Sequence, residues 1–221
     1  MINIAIDGPA GAGKSSLSRL LAKKLEYIYV DTGALYRAVG LKFSRLGFDT
    51  NLSGDLDAVL ADTKVDIRFI GGEQRVFLDS EDVSDDIRTP VASMMASAVS
   101  AKPAVRAFLL DMQRQLAKTN NVVMDGRDIG TVVLPDAKVK IFLTADVAVR
   151  AERRRKELAE KGQNLPFEEV LEDMKTRDYN DSHREIAPLK QADDAVLADT
   201  TNLSFDESLE LLLSIVKDGT R

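Results

Sequence analysis

The sequence predicts an α/β fold whose central sheet is parallel. Three observations predict it. The chain opens on a short, nearly continuous apolar run, Ile2-Asn3-Ile4-Ala5-Ile6-Asp7, of the kind seen where a strand is buried on both faces. A glycine-rich loop follows, and then residues 14–25, where Leu17, Leu20, Leu21 and Leu25 fall on one helical face. A second strand and helix come next, so the elements alternate as they do in parallel sheets covered by helices.

The remaining elements follow in order. Tyr27-Ile28-Tyr29-Val30 reads as the second strand, and residues 32–46 as an amphipathic helix ended by Gly47. The alternation then breaks. Residues 65–69 and 75–78 are rich in β-formers and flank Gly71-Gly72, which predicts a hairpin. Residues from about 62 to 90 therefore form a small inserted region. Pro90 begins a small-residue helix over 92–100. Pro103 opens another helix running to about Lys118, since proline suits a first helical turn. Asn121-Val122-Val123-Met124-Asp125 is a short strand ending in a carboxylate, and residues 138–143 are a further strand. A highly charged helix spans 146–161 and is closed by Gly162. Residues 167–183 form another helix, 195–198 a last strand, and 205–216 a C-terminal amphipathic helix.

Composition narrows the classes of function. A chain of 221 residues with 44% hydrophobic content suits one domain with a well-filled core. Its net charge of −6 argues against non-specific nucleic-acid binding, which needs a basic field. Without cysteine there is no disulfide framework, thiolate zinc site or cysteine nucleophile. His183 is the single histidine, which excludes a His-rich metal site and makes a plain surface residue the expectation. No apolar run approaches the ~20 residues of a membrane span. The N-terminus lacks the pattern of a signal peptide, so the expected compartment is the cytoplasm.

Gly8-Pro9-Ala10-Gly11-Ala12-Gly13-Lys14-Ser15 fits the P-loop pattern G-x-x-x-x-G-K-[ST], with a strand before it and a helix after it. Glycines let backbone N–H groups turn inward around phosphate oxygens, and the helix N-terminus adds positive charge. The loop from Gly8 to Ser16 is thus the expected ATP cradle. Lys14 would neutralise the β- and γ-phosphates, Ser15 would ligate Mg²⁺, and Asp125 would hold the ion through water. The fold expected is a three-layer α/β/α P-loop NTPase domain. No guanine-reading N-K-x-D motif is present, which argues against a GTPase.

Moving a phosphoryl group between two phosphorylated molecules brings many negative charges together, and arginine supplies bidentate donors for them. Arg37 and Arg106 lie on predicted helices, where a solvated surface arginine is the bland alternative. Asp125-Gly126-Arg127-Asp128 lies at a strand's C-terminal end, where open α/β sheets bind ligands. Arg150, Arg153, Arg154 and Arg155 are clustered on the charged helix. They read either as a solvated face or as a basic lid over residues 148–163. Arg177 and Arg184 flank Asp178, Asp181 and Ser182.

Taken in order, these segments resemble the bacterial cytidylate kinase family over essentially the whole chain. The matching stretches are Ile6-Asp7-Gly8-Pro9-Ala10-Gly11-Ala12-Gly13-Lys14 and Asp31-Thr32-Gly33-Ala34-Leu35-Tyr36-Arg37, then Glu81-Asp82-Val83-Ser84 with Ile87-Arg88-Thr89. They continue with Asp125-Gly126-Arg127-Asp128-Ile129-Gly130-Thr131, and with Arg177-Asp178, Asp181-Ser182, Arg184 and Ala187-Pro188-Leu189. The resemblance implies transfer of the ATP γ-phosphoryl group to CMP or dCMP with Mg²⁺. It implies a monophosphate-binding insert and a helical lid carrying Arg150, Arg153 and Arg154 over the triphosphate. Arg37, Arg127 and Arg184 are then expected at the acceptor phosphate, with Thr32 nearby. Asp181 and Arg177 are expected at the sugar, and Ser97, Arg106 and Asp128 at the base. Members differ in whether Ser or Thr follows the aspartate at position 31, and Thr32 keeps the hydroxyl. A uridylate/cytidylate or other monophosphate kinase is the alternative within kinases. A non-catalytic nucleotide-binding regulator is the alternative outside them. A monomer acting on neither nucleic acid nor membrane is expected.

Overall fold

A computed structural model describes residues 1–160 and 162–220. Its strands are β1 (Asn3–Asp7), β2 (Ile28–Asp31), β3 (Val65–Ile70), β4 (Glu73–Leu78), β5 (Glu81–Asp82), β6 (Val122–Gly126), β7 (Val139–Thr144) and β8 (Val196–Asp199). Its α-helices are α1 (Lys14–Leu25), α2 (Thr32–Arg45), α3 (Leu56–Ala61), α4 (Pro90–Ser100), α5 (Pro103–Thr119), α6 (Val147–Glu160), α7 (Phe167–His183) and α8 (Phe205–Gly219).

The central sheet has the order β2-β6-β1-β7-β8, with every neighbouring pair parallel. Successive side chains of β1 serve opposite layers, as the pleat requires. Ile4 and Ile6 meet Leu17 and Leu21 of α1 and Leu212 of α8. Ala5 belongs to the other layer, with Val30, Met124 and Ala117 of α5. Both faces are therefore covered, which explains the apolar run at the start of the chain. At the C-terminal edge of the sheet Asp31 pairs in register with Asp125, and Asp7 with Gly126.

The insert is a separate antiparallel sheet of order β3-β4-β5. Ile70 pairs with Glu73, which leaves Gly71 and Gly72 as a two-residue turn. Their φ values are 62° and 81°, and a turn with two positive φ angles matches the twist of the flanking strands. Val76, Leu78 and Val83 anchor this sheet against Leu35, Phe43, Met95 and Leu109. Two elements here were not foreseen. Helix α3 is six residues long and is fixed by its cap, where Asp55 Oδ1 accepts the Ala58 N–H at 3.0 Å. Strand β5 has two residues. Neither is long enough to show a period.

After β6 the chain makes a π-helical turn over Ile129–Val133, although Ile-Gly-Thr-Val-Val carries no helical signal. Helices α6 and α7 pack through Ala151, Leu158, Val170 and Met174, which also touch Ala10 of the glycine loop. The charged helix was expected to reach Lys161; that residue, also part of the expected lid, lies outside the described residues. Among the described residues, no helix is long and apolar enough to cross a membrane.

Candidate active site

The glycine loop leaves β1 so tightly that Gly8, with φ 151°, has no room for a side chain. A Cβ there would sit 1.9 Å from the Leu143 carbonyl oxygen of β7. The loop then curls around Lys14, whose Nζ donates to the Pro9 carbonyl at 2.7 Å. Lys14 is buried, and burial together with the Arg127 and Arg177 charges holds its pKa well below the usual lysine range. Desolvation disfavours an ammonium, and like charges disfavour it further. An anion in this corner would relieve both effects.

Three strand ends meet beside the lysine. Ser15 Oγ donates to Asp125 Oδ2 at 3.0 Å, and Tyr29 Oη donates to Asp125 Oδ1 at 3.0 Å. Thr32 Oγ1 donates to the Asp125 carbonyl at 2.8 Å. Burial, and after it the neighbouring Asp31 charge, pushes the Asp125 carboxyl up to about 6. Asp7 is also buried and pushed up to about 6 by its burial. It accepts the Ile129 and Gly130 N–H groups, each at 2.7 Å, so it ties β1 to the turn that follows Asp128.

A cavity of about 710 Å³ opens in front of this corner, of a size that suits small-molecule ligands. Its far wall is built from arginines already paired with carboxylates. Arg37 Nη2 lies 2.9 Å from Asp31 Oδ2, and Arg127 Nε 2.8 Å from Asp181 Oδ2. Arg106 donates to Asp128 Oδ2, and Arg184 Nη2 stands 3.5 Å from Asp128 Oδ1. The buried Arg184 Nη2 has no hydrogen-bond partner. Burial raises Asp128 above the usual carboxylate range even against Arg106 and Arg184. Burial works upward on Asp181 too, but the adjacent Arg127 holds it below that range. Arg177 is pushed down to about 10 by burial and by Arg127. Burial first, and the crowding of like charges after it, makes Lys14, Arg177 and Arg184 harder to protonate than usual.

Most of the expected residues converge on this cavity. Ala10, Gly11, Gly13, Lys14, Ser15 and Ser16 of the loop line it. Thr32, Arg37, Ser97, Arg106, Asp125, Arg127, Asp128, Arg177, Asp181 and Arg184 line it with them. Gly8, Pro9 and Ala12 shape the loop from behind. Arg153 and Arg154 also line the cavity; Arg153 Nη2 donates to the Thr200 carbonyl at 2.9 Å, and Arg154 Nη1 to Glu157 Oε2 at 2.8 Å. Arg150, expected alongside them, does not line it. One helical turn earlier on α6, it is buried and its donors are taken: by Ala145 O at 2.8 Å, Ala10 O at 3.0 Å and Asp178 Oδ2 at 2.7 Å. His183 is exposed and stacks on Tyr179, as a surface residue would.

Sequence reasoning missed Asp7, Tyr29 and Asp31 as parts of the site. One signal was available: β1 and β2 both end on aspartate, and β6 carries Asp125 at its penultimate position.

An anion cradle facing an arginine-lined pocket, on a parallel sheet entered through this glycine loop, defines the P-loop kinases. The fold recurs at 12% identity in the crystal structure of an uncharacterized protein from Eubacterium ventriosum, with a TM-score of 0.52 over 98% of this chain and 99% of that one. A model of the cytidylate kinase family matches residues 4–218. The chain is 52% identical over 214 residues to the cytidylate kinase of Caldicellulosiruptor saccharolyticus, covering 97% of this chain and 95% of that protein. It is 47% identical over 221 residues to the cytidylate kinase of Lactobacillus johnsonii, covering 98% and 94%. The chain belongs to the cytidylate kinase family.

Proposed function

We propose that the cavity carries out the reaction of that family, ATP + CMP or dCMP giving ADP + CDP or dCDP, with the following division of labour. The observation that carries it is the buried Asp128 between Arg106 and Arg184, in the same cavity as Lys14. A carboxylate so held accepts from the cytosine 4-amino group, while uracil would offer it a carbonyl. Ser97 lies on the same wall, and Arg106 orients the carboxylate. Arg37, Arg127 and Arg184 hold the acceptor phosphate, and Asp181 with Arg177 takes the sugar hydroxyls.

The loop from Gly8 to Ser16 cradles the ATP phosphates, and Lys14 offsets charge moving onto the β–γ bridge. Ser15 and Asp125 present the hard oxygen donors that Mg²⁺ prefers, Ser15 directly and Asp125 through water. When bound, the ion would neutralise phosphate charge beside these two side chains. Among the described residues, no cluster of three or more acidic or histidine side chains could hold a metal.

The acceptor phosphate oxygen is already anionic, so no general base is required. It bonds to the γ-phosphorus as the bond to the bridging oxygen breaks, and the electron pair stays on ADP. Catalysis is then positioning and electrostatics. The segment 148–163 acts as a lid. Arg153 and Arg154 face the triphosphate, while Arg150 ties the lid's base to the Ala10 carbonyl. The same reading has a cytoplasmic monomer working on free nucleotides. Coupled ATP turnover with CMP, dCMP, UMP, AMP and GMP tests it. CMP and dCMP should exceed UMP in kcat/KM by at least about tenfold, the worth of one mismatched buried polar contact. Equal use of CMP and UMP overturns the assignment of Asp128.

A further inference from the structure

β2 is an edge strand of the central sheet, so the outward N–H and C=O of its last residue, Asp31, have no strand to meet. One side chain of the inserted hairpin meets both. Gln74 Oε1 accepts the Asp31 N–H at 2.8 Å, and Gln74 Nε2 donates to the Asp31 carbonyl at 3.2 Å. The amide stands in for the peptide group of a missing neighbour, across 43 residues of sequence. Asp31 then passes the constraint on. Its Oδ1 caps α2 by accepting the Ala34 N–H at 2.9 Å, and its Oδ2 holds Arg37 Nη2 at 2.9 Å.

We propose that Gln74 is a positioning residue for the acceptor phosphate: through Asp31 it fixes the direction of Arg37, and this links the inserted sheet to the site. The inference rests on Arg37 being a phosphate-binding residue. Covering a sheet edge would be the lesser role. What sets Gln74 apart is that the residue it grips on both backbone groups also holds the arginine. A β4 strand displaced from β2 would release Asp31, and Arg37 would lose its fixed partner. Linkage makes the coupling reciprocal, so a phosphate on Arg37 must in turn tighten Gln74 on Asp31.

The test uses Gln74→Met, which keeps chain length and removes the amide, with Arg37→Ala and the double variant. Kd for CMP and for ATP is measured by calorimetry on each full-length protein, alongside KM and kcat. Gln74→Met should weaken CMP about three- to tenfold, leave ATP within twofold, raise KM for CMP more than it lowers kcat, and add nothing in the Arg37→Ala background. Unchanged CMP affinity, equal losses for CMP and ATP, or additive losses in the double variant would each overturn the proposal. Wild-type CMP affinity in Arg37→Ala alone shows instead that the reading of Arg37 is wrong, and the proposal falls with it. Amide exchange on the unmodified protein gives a check that needs no variant to fold. Saturating CMP should slow exchange of the Asp31 N–H at least about threefold, and no slowing overturns the coupling.

Discussion

The two ends of the cavity are built in opposite ways. On the proposed reading the donor end is built mainly on one contiguous stretch, Gly8 to Ser16, whose backbone groups and Lys14 are joined by Asp125 and by Arg153 and Arg154 of α6. The acceptor end gathers side chains from α2, α4, α5, α7 and the segment after β6, most of them bound to one another before any ligand arrives. Backbone amides read phosphate and little else, so the donor end recognises a polyphosphate whatever base it carries. Paired arginines and carboxylates have already met their desolvation cost on folding, and they present fixed directions to a base, a sugar and a phosphate. On the proposed assignment of residues, selectivity resides at the acceptor end and phosphate binding at the donor end.

Lys14→Ala is the hardest blow to that division. Turnover should fall by about 10³-fold or more, because Lys14 is the cation that the glycine loop itself curls around. CMP affinity measured without ATP should stay within about threefold, and circular dichroism should show an intact fold. A large loss of CMP affinity would mean that the two ends are not separable.

Asp128→Ala attacks the other end. It leaves Arg106 and Arg184 facing each other across a buried gap, and breaking such pairs costs about 3–5 kcal/mol of stability. Thermal unfolding checks that loss. Asp128→Asn keeps the volume and is the variant for kinetics. It should cut kcat/KM for CMP by about 30-fold and for UMP by much less, narrowing the gap between them. Equal losses would make Asp128 a brace alone.

Asp181→Asn is a finer cut within the acceptor end. It should raise KM for CMP by about tenfold and for dCMP by less, since only one sugar hydroxyl is shared. Identical losses would move Asp181 away from the 2′-hydroxyl.

The smallest effect comes from Asp7, which belongs to neither end. Its carboxyl has a folded pKa of about 6, against 3.8 for the unperturbed group. The folded protein therefore binds the proton more tightly than the unfolded chain does. Stability from this group rises as pH falls from 7 through 6 and levels off below about 4. Between pH 7 and pH 5 the gain is about 1 kcal/mol, or roughly 2–4 °C in Tm for a chain of this size. Asp7→Asn should remove that share of the slope, and an unchanged Tm profile would show that Asp7 is ionised at no cost.

The same contrast explains what the sequence made legible. A contiguous loop between a strand and a helix announces itself, because its chemistry needs glycines and a lysine at fixed spacing. The acceptor pocket has no such spacing: its arginines and carboxylates could be singled out one by one, but their division among phosphate, sugar and base came only through a resemblance over the whole chain. Tyr29 read as one more apolar strand residue, because period two does not say which face carries a hydroxyl toward Asp125. Arg150 could not be told from Arg153 and Arg154, since all three share a helix face and differ only in depth. The grip of Gln74 on Asp31 depends on a sheet edge that no local pattern encodes.

The depth of Arg150 has a mechanical consequence. On the lid reading proposed above, the foot of α6, fastened at Ala145, Ala10 and Asp178, would be a fulcrum and the helix beyond it a lever. At about 1.5 Å per residue, Arg153 lies roughly 5 Å from the fulcrum and Glu160 roughly 15 Å. A swing of about 20° would then carry the tip about 5 Å while moving the Arg153 backbone less than about 2 Å. Such a lever would shift the lid's tip by several ångströms while keeping Arg153 and Arg154 close to target throughout the stroke.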